Sequence, residues 1–73
     1  MNLKDFLDTL YCWEGDIVVY NKDYVKLSKF YYPNETCSEK YLNWRVVAIT
    51  PNYTILTKCV VMYPLIEIVV KEA

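Results

Sequence analysis

The sequence predicts an α+β fold: an N-terminal helix packed on a mostly antiparallel sheet of four or five strands, with a short helical turn between the second and third strands. Three observations carry this. Leu3, Phe6, Leu7 and Leu10 recur at i, i+3, i+4 and i+7, the spacing of one helix face. After Gly15, the only glycine, the pattern gives way to β-branched and aromatic runs such as Ile17-Val18-Val19-Tyr20. Between such runs lie the turn-forming groups Asn21-Lys22-Asp23, Pro33-Asn34-Glu35-Thr36 and Thr50-Pro51-Asn52.

Taken in order, the helix starts at the Asn2 cap, with Asp5 three residues on in a capping-box-like position and Asp8 one turn later. Both carboxylates suit the early turns, where the helix dipole favours negative charge. The helix is expected to end near Tyr11 or Cys12. Ile17–Tyr20 and Tyr24–Phe30 then form a hairpin about Asn21-Lys22-Asp23, closed at its far end by Pro33, which cannot extend a ladder. Ser38–Leu42 is long enough for a helical turn or two, capped by Thr36 or Ser38. Trp44–Ile49 is a strand ended by the Thr50-Pro51-Asn52 turn. Tyr53–Tyr63 reads as strand, and Leu65–Lys71 as a last strand after Pro64, a turn or an edge position. No repeat, linker or low-complexity segment divides the chain, so residues 1–73 read as a single small domain with one core.

Composition limits the chemistry. The chain has no histidine, the side chain that titrates nearest neutrality, and a formal charge of −1. Lys22, Lys26 and Lys29 are the densest basic stretch, but Asp23 breaks it, so no cationic stripe for nucleic acid is expected. Nor is there the carboxylate excess an acidic DNA mimic needs. The start of the chain lacks a basic segment followed by an apolar run, and Val60–Val70 falls short of the ~20 residues a membrane helix needs. A cytoplasmic protein is therefore expected, and Asn34-Glu35-Thr36 and Asn52-Tyr53-Thr54 read as turn chemistry rather than glycosylation acceptors.

Cys12, Cys37 and Cys59 are odd in number and widely spaced, which suits reduced, partly buried thiols better than a disulfide framework. No cofactor is expected. The alternative is a zinc site on these three thiolates, completed by a carboxylate, by water or by a second chain. Ser28 and Ser38 lack a histidine or nucleophile elbow, and no glycine-rich loop exists to hold phosphate. The chain is expected not to be an enzyme.

Contact surface is the better-supplied resource, with eight tyrosines, two tryptophans and two phenylalanines. Phe30-Tyr31-Tyr32 are consecutive and cannot all point inward from a strand. Tyr24, Tyr41 and Trp44 lie near them in sequence, and Tyr24, Tyr31, Tyr32, Tyr41 and Trp44 are the candidate partner-binding residues, since binding hot spots favour tyrosine and tryptophan. Val46–Ile49, Cys59–Met62 and Ile68–Val70 are apolar on both faces. A single helix covers one sheet face, so a homodimer through the other is a further expectation.

Asn2-Leu3-Lys4-Asp5-Phe6-Leu7, the strand ending in Val19-Tyr20, and Tyr41-Leu42-Asn43-Trp44-Arg45-Val46-Val47-Ala48-Ile49 together resemble a pattern in small proteins of phages and mobile elements from Gram-positive bacteria. That group includes anti-CRISPR and other anti-defence inhibitors. The resemblance implies a small inhibitor that docks on a host protein, such as a CRISPR-Cas nuclease, and blocks its nucleic-acid binding or cleavage. The alternative is a zinc-binding or oligomeric accessory domain.

Overall fold

A computed structural model of the chain describes residues 1–56 and 61–73, with the side chains of residues 1–53 and 63–73. Helix α1 spans Leu3–Asp8, and the Asn2 side chain caps it by accepting the Asp5 N–H at 2.8 Å. It stops earlier than its apolar spacing suggests. The Thr9 hydroxyl donates to the Phe6 carbonyl at 2.6 Å, and Leu10 N–H bonds the Leu7 carbonyl three residues back, which tightens the chain out of the helix.

Strands β1 (Gly15–Tyr20) and β2 (Lys26–Tyr32) form the expected hairpin. β2 begins later than expected, because the Asn21 side chain accepts the Asp23 and Val25 N–H groups and draws Tyr24 into the turn at φ 60°. Helix α2 (Glu39–Leu42) is capped by Ser38, one of the two capping residues anticipated. Strands β3 (Arg45–Leu56) and β4 (Val61–Lys71) complete the fold.

The sheet has four strands in the order β2-β1-β4-β3. Its two hairpins are antiparallel, but they meet through a parallel β1–β4 pairing, Asp16 opposite Leu65 through Tyr20 opposite Val69. The sheet is therefore mixed, with two of its three strand pairings antiparallel. The two central strands bury apolar residues on the helix side, while their other side mixes Val18, Leu65 and Val69 with Asp16, Tyr20 and Glu67.

The expected break at Pro51 is corrected: it lies inside β3, opposite Ile66, where an outer strand tolerates a missing N–H. Pro64 takes the edge position, one of its two expected readings, opposite Tyr53 and one residue beyond the stretch paired with β1, though β4 starts before it rather than after. The expected Tyr53–Tyr63 strand is split between β3 and β4, and residues 57–60 lie outside the described residues.

The core gathers Leu3 and Leu7 of α1 with Ile17, Val19, Phe30, Ile66, Ile68 and Val70 from one sheet face, plus Cys37 from the β2–α2 connection. Trp13, Tyr32, Tyr41, Leu42 and Trp44 pack around its rim. At about 25 cal/mol per Å² of apolar area, fully burying each aliphatic side chain contributes about 1.5–3 kcal/mol.

Candidate functional site

Strand alternation divides the aromatic residues between two surfaces. Phe30 and Tyr32 point with Ile17 and Val19 toward the helices, and Tyr31 points the other way. The Tyr32 hydroxyl donates to the Leu7 carbonyl at 3.1 Å, and its ring lies 6.3 Å from that of Trp13. Tyr41 and Trp44 meet edge to face at 5.1 Å over the core rim. Tyr24 is 73% exposed in the β1–β2 turn, its ring 6.3 Å from that of Tyr20. The five residues singled out by sequence thus occupy three places: Tyr32, Tyr41 and Trp44 on the helix side, Tyr24 at one end, and Tyr31 on the open face.

The open face is built in rows that cross the strands. One row reads Lys26, Tyr20, Val69, Ala48; the next Lys29, Val18, Glu67, Thr50; the next Tyr31, Asp16, Leu65, Asn52. Arg45 and Lys71, opposite one another, lie beyond the first row. Glu14 lies beyond the last, accepting the Tyr31 hydroxyl, with Tyr63 at the same end. The charges whose strand positions face this side are therefore uneven along the strands, basic at the Arg45–Lys71 end and acidic at the Glu14–Asp16 end, with Lys29, Val18, Glu67, Val69 and Leu65 between; Asp23 and Glu72 lie near Lys71 at the basic end.

Phenol acidity follows this arrangement. The hydrogen bond to Glu14, partial burial, and the Glu14 and Asp16 charges push the Tyr31 phenol above its ordinary value. Desolvation first, then Glu67, does the same for Tyr20. Glu67 is also held by the Asn52 amide, which donates to it at 2.9 Å.

A second surface follows from the unequal lengths of the strands. β1 pairs with β4 only from Leu65 to Val69, so Tyr53–Leu56 and Val61–Pro64 extend as a two-stranded arm. On the helix side of β3, Ile49, Pro51 and Tyr53 form a column past the reach of α1; Ile49 is 41% and Tyr53 62% exposed. Sequence reasoning read this segment as a turn and missed the column. The signal was present in the alternation Ile49-x-Pro51-x-Tyr53, once Pro51 is allowed on an outer strand.

Cys12 is exposed and Cys37 is buried in the core, where desolvation raises its thiol pKa. Cys59 lies outside the described residues. Among the described residues no three histidine, cysteine or carboxylate side chains are grouped to hold a metal. A cleft of about 380 Å³ opens between Asn21–Asp23, Trp44 and the end of β4, and another of about 260 Å³ between Cys12, Trp13 and Tyr32. Among the described residues no helix is long and apolar enough to cross a membrane. Comparison with protein-family models, curated proteins and solved structures finds no match to this chain.

Proposed function

We infer that this chain is a small protein-binding protein that acts by occupying a surface on a larger partner. The observation that carries the reading is the column Ile49, Pro51, Tyr53, which runs along β3 to the base of the projecting arm. Apolar and aromatic groups held on a strand lose little further freedom on docking, which is what binding hot spots reward. Tyr24 and Tyr31, both reachable by a partner, extend the candidate surface; Tyr32, Tyr41 and Trp44 contribute through the packing that fixes the sheet. The partner's class rests on the resemblance to small phage proteins alone: a host defence nuclease such as a CRISPR-Cas effector, inhibited in nucleic-acid binding or cleavage.

The test is an effector-cleavage assay and a pull-down with purified CRISPR-Cas effectors, using the wild-type chain and an Ile49→Asp/Tyr53→Asp variant. Inhibition that the variant loses, with its thermal transition retained, supports the reading. No binding to any effector would dispose of the inhibitor assignment. Binding that the variant retains would remove the arm from it.

A further inference from the structure

We propose that the open sheet face is a self-association surface, taking a second copy of this chain turned end for end about a two-fold axis that crosses the strands. The argument starts from the segregation of charge. Arg45, Lys71 and Lys26 stand at one end of the face, Glu14 and Asp16 at the other. A two-fold axis across the strands lays the basic end of each copy over the acidic end of the other, so every favourable pairing occurs twice.

The cationic end needs a partner of this kind. Arg45 and Lys71 face each other directly across β3 and β4, an arrangement that repels. Among the described residues the only ion pair is Lys4–Asp8, on the other side of the molecule, so neither cation is ion-paired with a described carboxylate. At the acidic end the Glu14 carboxylate is bonded to a phenol rather than to a cation.

The rows between the ends agree with the same operation. With the axis along the Lys29–Val18–Glu67–Thr50 row, Val69 of one copy meets Leu65 of the other, and Tyr20 lies over Asp16. The axis row itself lays Lys29 on Lys29 and Glu67 on Glu67; Lys29, on an edge strand, can swing its ammonium outward, and the Glu67 pair is a repulsion that the charge pairs at the two ends must outweigh.

Edge pairing is the competing mode, and both edges are blunted. The outward Tyr31 N–H and carbonyl of β2 are bonded to Glu35. On β3, Val46 N–H bonds Met1, Pro51 has no N–H, and the Asn52 side chain takes the Tyr53 N–H. Four strands about 4.8 Å apart and five rows about 7 Å apart make a face of roughly 15 Å by 27 Å. This is below the ~800 Å² per partner of a standard interface, so association is weak and concentration-dependent. The face lies opposite the Ile49–Tyr53 column, so the dimer and the partner-binding reading are independent: two copies would present two arms.

Sedimentation equilibrium of the full chain over roughly a hundredfold concentration range tests this, at about 0.01 M and about 0.5 M salt. The average mass is expected to rise from 8.7 kDa toward twice that value at low salt and to fall back at high salt. Arg45→Glu/Lys71→Glu and Glu14→Lys/Asp16→Lys should each weaken self-association about tenfold or more, while an equal mixture of the two variants recovers it. Recovery in the mixture also shows that both variants fold. A wild-type chain that stays monomeric at low salt overturns the proposal. So does association indifferent to salt and to both variants.

Discussion

Gly15 and Pro64 approach so closely across the β1–β4 junction that a Cβ on Gly15 would lie 2.5 Å from the Pro64 carbonyl oxygen. The Trp13 ring, at 2.9 Å, closes the other side. The obstacle includes backbone, so a rotamer change cannot relieve it. Gly15→Ala is expected to destabilise the fold by about 1–3 kcal/mol through overpacking, read as a lower urea midpoint. A neutral substitution would mean that β4 does not pass this close to β1.

Adjacent tyrosines should respond differently. Tyr32→Ala removes a ring from the core rim and a hydroxyl bonded to Leu7, and should cost about 3–5 kcal/mol. Tyr32→Phe removes only the hydrogen bond, about 0.5–1.5 kcal/mol. Tyr31→Ala, on the open face, should cost less than Tyr32→Ala in the same unfolding experiment.

Alkali should weaken the fold through Tyr20 and Tyr31. Their raised pKa values mean that the native state keeps two phenol protons that the unfolded chain releases near pH 10.0. The stability tied to them is fully present below that pH and is lost as pH rises through the folded values. Phenolate absorbance should show two late-titrating groups, and Glu14→Gln should move one of them back toward 10.0. Normal titration of every tyrosine would contradict the Tyr31–Glu14 bond.

Thiol reactivity should separate the two described cysteines. In a Cys59→Ser background, Cys12 is expected to react promptly with a disulfide reagent at neutral pH, and Cys37 only as the protein opens. Two fast thiols per chain would place Cys37 outside the core.

The β3 edge should become adhesive when its guards are removed. Pro51→Val with Asn52→Ala restores one outward N–H and frees another. Concentration-dependent aggregation with cross-β dye binding is the expected outcome. A variant as soluble as the wild type would show that the edge is protected in some other way.

Local signals carried much of this fold in the sequence. The Asn2 and Ser38 caps, the Asn21–Asp23 turn and the opposed directions of Tyr31 and Tyr32 all depend on neighbours within a few residues. The parallel β1–β4 pairing depends on residues about fifty positions apart, and composition shows only that both strands are largely apolar. Proline misled for a related reason. Pro51 looks like a break in the sequence because its cost depends on whether another strand lies alongside, and adjacency of that kind is set by the whole topology. The candidate site was less legible still, because side chains gathered on one face come from strands that meet only after folding. The charge polarity of the open face, built from residues 14, 16, 26, 45 and 71, is invisible to any local window.

The order β2-β1-β4-β3 puts β4, which follows the other three strands in the chain, at the centre of the sheet. A nascent chain lacking Val61–Lys71 would have no wall for Ile17 and Val19 to lean on and no partner for β3. Lasting structure in this domain is therefore expected only once Val61–Lys71 has been made. Fragments that stop short of it would be left to the cell's proteases rather than surviving as half-formed competitors.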